Sequence, residues 1–370
     1  KRPQENILKN IETLDAIAAP LLRWFHSEKR ALPWREEPTP YRVWVSEIML
    51  QQTRVEAVKP YFERFVAALP DVRALARADE DTLMKLWEGL GYYSRARHLQ
   101  SAARLICSDH GGKIPARFDD LLTLPGIGRY TAGAVASIAF GERRPAVDGN
   151  VLRVIMRLLA CPADILKEST KRAVEEALIA RLPENAGDFN QALMELGALV
   201  CLPRGAARCP SCPLERLCLA KEANLQAELP QKTPPKRRRT ERLTIFLLSK
   251  NGKIALEKRP THGLLAGLWG FPSMEGHLKK NEAAKALQAL GLIPAKLHAL
   301  PAAQHIFSHI TWQMVGWHVE LAETSSDEPS AATKSSPAST KATEANTPPA
   351  SLRLHEATAP YDAQTKTPPL

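Results

Sequence analysis

No apolar run in this chain approaches the roughly 18 uninterrupted residues that a membrane-spanning helix needs. A signal-peptide pattern is missing, and no internal repeat is evident. The reading that follows is a cytoplasmic protein, not membrane-bound. Acidic side chains are in deficit: 40 Asp and Glu face 50 Lys and Arg, a net charge of +10. That balance favours a polyanionic partner, either nucleic acid or an acidic membrane surface. Cysteine is scarce, with six in 370 residues. Cys107 and Cys161 stand alone in apolar helical patterns and read as small core residues. Cys201, Cys209, Cys212 and Cys218 instead form one group, spaced C-x7-C-x2-C-x5-C. In a reducing compartment such a group reads as metal or cluster ligation rather than disulfides. Four thiolates suit zinc or a [4Fe–4S] cluster, and the spacing favours the cluster, because zinc sites more often pair two C-x2-C knuckles.

The length allows two domains, each with its own core. Apolar residues recur every three or four positions over 7–22, 43–65, 83–107, 130–140, 151–159 and 171–182. This predicts an all-α domain over 8–225, closed by the cysteine loop at 201–218. Prolines and the basic run 236–239 predict an extended linker over 226–240. The period then changes. Residues 243–249 and 253–257 flank Asn251-Gly252, the pair most typical of a tight β-hairpin. A helical stretch at 282–290 and a strand-like stretch at 305–318 complete a small α+β domain over 241–321. From 322 to 370 large apolar residues almost vanish, which predicts disorder.

One segment proposes chemistry. Leu124-Pro125-Gly126-Ile127-Gly128-Arg129-Tyr130 precedes an apolar helical stretch and then Val147-Asp148-Gly149-Asn150. Gly126 and Gly128 permit a tight hairpin between helices, with no Cβ to keep a ligand away. The following helix start would offer free N–H groups to a phosphate without reading sequence. Asp148 reads either as a helix N-cap or as a catalytic carboxylate, and one residue can do both. Glu47 sits among apolar neighbours, Val43-Trp44-Val45-Ser46 and Ile48-Met49-Leu50, where a carboxyl tends to keep its proton near neutral pH.

Together these residues resemble the helix–hairpin–helix DNA glycosylases, specifically the adenine DNA glycosylases of the MutY family, over residues 8–321. The resemblance is carried by Leu32-Pro33-Trp34-Arg35, by Val45 through Thr53, by Gly89-Leu90-Gly91-Tyr92-Tyr93-Ser94, by the two glycine-bearing motifs and by the cysteine group. It implies two helical lobes with DNA crossing the cleft, and a flipped adenine removed from opposite 8-oxoguanine. It also implies a monomer acting on double-stranded DNA in the nucleoid. Asp148 matches the catalytic aspartate that stabilises or covalently traps the cationic sugar, with Asn150 assisting it. Glu47 matches the general acid that protonates adenine N7, and Arg35 and Glu195 resemble residues that contact adenine. Tyr130 stands where strand-cutting endonuclease III relatives carry lysine. A phenol cannot form a Schiff base, so base removal alone is expected. The family places this tyrosine near Asp148.

Gln52, Thr53, Leu90 and Tyr92 match the lesion-side group, Tyr92 as a wedge in the base stack. The cysteine loop departs from the family by one residue, with seven between the first two cysteines instead of six. It carries Arg204 and Arg208 as candidate phosphate contacts. The second domain looks Nudix-like through Leu268-Trp269-Gly270-Phe271-Pro272 and Leu290-Gly291-Leu292. Aligned on Gly291, the positions of the Mg²⁺-binding glutamates hold Lys285, Gln288 and Ala289, so nucleotide hydrolysis is not expected. Phe307-Ser308-His309 matches the segment that contacts 8-oxoguanine, whose N7 carries a hydrogen that guanine lacks. Three rival readings remain: a bifunctional endonuclease III-type enzyme, a noncatalytic DNA-binding protein with a structural metal, and a nucleotide hydrolase.

Overall fold

In the computed structural model, the described residues are 7, 9–203, 207–234, 237–260 and 263–322, with the backbone of 353–356. The chain divides into two compact units, Lys1–Pro234 and Pro235–Leu370.

The first unit is helical. After a 3₁₀ turn at Ile11–Ala16 come α1 (Ala18–Glu28), α2 (Pro33–Glu36), α3 (Pro40–Leu50), α4 (Val55–Ala68), α5 (Val72–Arg77), α6 (Glu80–Trp87) and α7 (Ser94–Asp109). Then follow α8 (Phe118–Leu121), α9 (Arg129–Phe140), α10 (Gly149–Leu158), α11 (Glu168–Ile179), α12 (Ala186–Leu199) and α13 (Leu219–Glu222). Their starts are written in the sequence. Thr39 accepts from Arg42 N–H with Pro40 in the first turn, and Asp71, Asp79 and Asp148 cap α5, α6 and α10.

Two apolar cores organise this unit into lobes. One is built around Trp44, Phe62, Phe65, Trp87 and Phe118, the other around Leu21, Phe25, Ile155, Phe189 and Leu193. Helix α9 belongs to the first lobe but also packs on α12. Asn190, buried on α12, fastens the segment leading to Asp148: it accepts from Ala146 N–H and donates to Ser137 Oγ and the Arg144 carbonyl.

Several expected helices prove to be pairs. The stretch 43–65 breaks between Leu50 and Val55, with Gln52 at φ 58°. The stretch 83–107 breaks between Trp87 and Ser94, around Gly89, Gly91 and Tyr92, all at positive φ. The stretch 7–22 becomes the 3₁₀ turn followed by α1. Helices on either side of each break bury residues in the same core, so the apolar period runs through it. Helix α12 lies outside the expected stretches. Among its apolar residues it buries Asn190 and Glu195, which interrupt the simple pattern.

The expected linker over 226–240 needs correction at both ends. Buried Leu229 presents its carbonyl to Arg157, Gln231 accepts from Ile165 N–H, and Thr233 bonds Asp164. Composition shows proline and charge there, but not these fixed partners. At the other end, residue 239 already opens a strand.

The second unit carries β1 (Arg239–Lys250), β2 (Lys253–Lys258), β3 (Trp269–Gly270), β4 (Ser273–Glu275), helix α14 (Lys280–Ala289), β5 (Pro294–Ile306), β6 (Ile310–Leu321) and β7 (Arg353–Glu356). Strand order is β3-β2-β1-β6-β5, with β4 pairing β1 and β7 pairing β2. Asn251 and Gly252, at φ 51° and 75°, form the anticipated turn between β1 and β2. Strands β1 and β6 run parallel, while β5 and β6 are antiparallel. The strand-like stretch 305–318 is thus the end of β5, a turn at 307–309, and most of β6. The turn contains no Gly or Pro to announce it. Strand β7 also corrects the expectation of disorder over 322–370, since 353–356 pairs with β2; residues 323–352 and 357–370, like Lys236, lie outside the described residues.

Replacing Asn190 with Leu should leave the Ala146 amide and the Arg144 carbonyl without their partner. The expected loss is roughly 2–4 kcal/mol of unfolding free energy. Denaturant titration of the full chain would measure it.

Candidate functional site

Between the two lobes of the helical unit lies an open cavity of about 690 Å³. Its lining includes Arg35, Glu47, Gln52, Thr53, Gly128, Tyr130, Asp148, Asn150 and Glu195. Residues as far apart in sequence as Arg35 and Glu195 therefore meet in one place.

Helix α3 supplies Glu47 on its buried side, only 6% exposed. Burial raises its carboxyl to about 7, the Tyr130 hydrogen bond opposes that rise, and the Asp148 charge adds to it. Tyr130, in the first turn of α9, donates its hydroxyl to Glu47 Oε2 at 2.5 Å and also lies 3.2 Å from Met194 Sδ. The expected neighbour was Asp148; the observed partner is Glu47. Burial, then the charges of Glu47 and Asp148, push the Tyr130 phenol well above its ordinary value. It stays a neutral donor.

Asp148 caps α10 and faces the cavity at the same time. One oxygen accepts from Val151 N–H and the other from Asn150 Nδ2, both at 2.7 Å. Burial raises its pKa above the ordinary carboxylate value, and these two bonds offset only part of that rise. Asn150 is oriented in turn by Arg153, whose guanidinium reaches Asn150 Oδ1 at 2.8 Å, the Cys201 carbonyl at 2.7 Å and the Gly197 carbonyl at 2.7 Å. The packing is tight: a Cβ at Gly197 would lie 2.5 Å from Asn150 Cβ.

Glu195 is almost wholly buried, and its two oxygens accept from the Arg30 backbone and guanidinium and from Arg35. Burial alone would raise its pKa, but these bonds outweigh it and hold the carboxyl at about 2. Its lone pairs are filled. Arg35 lines the cavity as well, held by Glu195, Gln191 and the Arg30 carbonyl.

The remaining expected residues divide. Gln52 and Thr53 line the cavity, whereas Leu90 is buried in the first core and Tyr92 projects outward, 48% exposed. Gly126, at φ 76°, has no room for a Cβ, which would meet His98 Cβ at 2.6 Å. Gly128 precedes α9 with open space where its Cβ would be. In the second unit, Ser308 is exposed at the turn between β5 and β6. Its hydroxyl is 3.2 Å from His309 Nδ1, and Phe307 packs edge-on against Trp312 at 4.9 Å.

Cys201, Cys209, Cys212 and Cys218 surround one small cavity of about 30 Å³. Among the described residues no three His, Cys, Asp or Glu side chains are placed to hold a single metal ion. Buried Arg157 donates to Cys201 Sγ at 3.2 Å and to the Leu202 and Leu229 carbonyls, so the four sulfurs stand beside a fixed cation. Arg204 lies outside the described residues. Sequence reasoning missed Arg30, Arg95, Arg153, Arg157, Gln191 and Met194. Arg153 and Arg157 stand within an otherwise apolar helix, a signal that could have been read.

Residues 45–180 match the family described as HhH-GPD superfamily base excision DNA repair protein, and 244–356 match the NUDIX domain. The human adenine DNA glycosylase is 37% identical over 85% of this chain and 69% of its own length. The one from Buchnera aphidicola (Schizaphis graminum) is 32% identical over 84% and 89%. Among solved structures, a thermostable thymine-DNA glycosylase superposes with a TM-score of 0.51 at 28% identity, covering 57% of this chain and 98% of its own.

Gly197→Ala should push Asn150 away from Asp148 and lower single-turnover activity by roughly a hundredfold, as small misplacements at reacting groups do. Thermal unfolding measured beside it should change far less. Equal loss of both would mean that Gly197 serves packing alone.

Proposed function

The chain belongs to the adenine DNA glycosylase family and is a glycosylase of base excision repair, and on that premise we propose that its substrate is adenine opposite 8-oxoguanine in double-stranded DNA, with A opposite G as a second substrate. The observation that carries the mechanism is one cavity holding a carboxyl poised to keep its proton, Glu47, and a carboxylate fixed by two donors, Asp148. Two acids with separated environments are what acid-assisted glycosyl cleavage requires.

The adenine is flipped into the cavity, at the cost of a few kcal/mol of stacking and pairing. Arg35, held by Glu195 and Gln191, meets the base. Glu47, whose Oε2 accepts from Tyr130, gives the proton on its other oxygen to N7. The N-glycosidic bond then breaks with its electron pair leaving on the base. Asp148 faces the cationic sugar and stabilises or covalently traps it until water adds at C1′, leaving an abasic site. No amine stands at position 130 to cut the strand.

Gln52, Thr53 and Tyr92 receive the opposite base and Ser308 reads its oxidised edge. The four cysteines hold a [4Fe–4S] cluster, which when bound supplies structural closure of the loop and no step of the reaction. The protein acts as a monomer on nucleoid DNA. The C-terminal unit lacks the acidic positions for Mg²⁺ and serves recognition.

Duplexes carrying A opposite 8-oxoguanine, A opposite T, and 8-oxoguanine opposite C test the reading. Adenine loss opposite 8-oxoguanine, with breaks only after alkali, is expected; breaks without alkali would restore the bifunctional alternative. The rate should be full below about pH 7 and fall tenfold per unit above it, as Glu47 loses its proton. Glu47→Gln should lower the rate about 10²–10⁴-fold and abolish that alkaline limb. Purified chain should carry iron and sulfide in equal amounts, both absent from Cys212→Ser; zinc in their place would overturn the cluster.

A further inference from the structure

Two segments expected to face the base opposite adenine, 51–53 and 90–92, lie on different loops. The first follows α3; the second precedes α7. Both contain a non-glycine residue in the left-handed region, Gln52 at φ 58° and Tyr92 at φ 46°, with Gly91 at φ 68° beside the latter. Such conformations persist only where the surroundings fix them.

The fixing group is one side chain. Arg95, in the first turn of α7 and 9% exposed, sends Nη1 to the carbonyls of Ile48 at 2.8 Å, Met49 at 3.0 Å and Gln51 at 2.6 Å. Its Nη2 reaches the carbonyls of Leu90 and Gly91, each at 3.2 Å, and Thr53 Oγ1 at 3.5 Å. The guanidinium also lies over the Trp87 and Tyr92 rings, at 5.4 and 5.6 Å. Each of these hydrogen-bond acceptors is neutral, and all but Thr53 Oγ1 are backbone carbonyls. Burial lowers its pKa to about 10, which leaves it charged at neutral pH.

The bonds bracket each strained residue. Gln51 and Thr53 flank Gln52, and Leu90 and Gly91 lead into Tyr92. The last carbonyls of α3, which no helical N–H can satisfy, are used as anchor points. A lysine would bring a point charge with three donors, without the planar fork that spans both loops. We propose that Arg95 is the positioning residue for recognition of the base opposite adenine, locking the two loops into one rigid lesion-facing unit. The inference rests on the reading that Gln52, Thr53 and Tyr92 face that base. A wedge on a mobile loop would lose its orientation; here the exposed Tyr92 ring has an anchored backbone.

The test uses full chain, as wild type, Arg95→Lys and Gly91→Ala, with single-turnover adenine excision and binding measured on A opposite 8-oxoguanine and A opposite G. Gly91 is only half-buried and has open space at its Cβ position, so its variant keeps the test readable should Arg95→Lys fail to fold. The expected result is a fall in the preference for 8-oxoguanine by roughly tenfold or more, as misplacement of a recognition group produces. The alkaline limb set by Glu47 should stay in place. Preference retained in folded variants, with only the melting temperature lowered, overturns the inference and leaves Arg95 a packing residue. A wild-type chain without any preference overturns the underlying reading, and the inference with it.

Discussion

Desolvation of the Glu47 carboxyl governs much of this molecule. A charged carboxylate there would leave water at a cost that the Tyr130 hydrogen bond and the Arg35 charge only partly offset, so the group keeps its proton up to about pH 7. That condition needs the first lobe to close around α3, and it needs Tyr130 to donate without becoming charged. Asp148, in the same cavity, is also pushed up by burial, but it has hydrogen bonds that offset part of that rise. The α10 N-terminus and Asn150 each give it a hydrogen bond, which favours its charged form. The fold separates two chemically similar acids by what surrounds them.

Buried arginines do the connecting. Arg95 gathers carbonyls from the end of α3 and the turn before α7, Arg153 joins Asn150 to the start of the cysteine loop, and Arg157 joins that loop to Leu229. Most of their acceptors are backbone oxygens at places where regular structure stops. Loops that break a helix leave such oxygens unpaired, and a planar five-donor group can satisfy several at once. Irregular segments around the cleft are thereby held without being helical. Glu195 belongs to the same logic in reverse, as one carboxylate holding two arginines.

The second unit keeps a Nudix-type scaffold, with Lys285, Gln288 and Ala289 on α14. Its sheet still presents a short turn at 307–309, supported by Phe307 against Trp312 and by the Trp312 indole donating to Glu241 at 2.9 Å. The sheet rests on apolar packing of residues such as Phe246, Leu248 and Val319.

Much of this was legible in the chain. Helical periodicity, the Asn251-Gly252 turn, the capping role of Asp148 and the apolar setting of Glu47 are local facts, and local patterns report them. The breaks at Gln52 and Tyr92 were not legible, because the flanking helices face one core and keep one period through the break. The turn at 307–309 hid for want of Gly or Pro, and the fixed course of 226–234 depends on Arg157 and Asp164 far back in sequence. The sequence by itself determined which groups could act: a phenol at 130 instead of an amine, and thiols at four positions. Only the tertiary structure decided their partners and states, pairing Tyr130 with Glu47 and filling Glu195 with two arginines. Proton affinity and orientation come from desolvation and distance, and those exist only once separate stretches of chain have packed together.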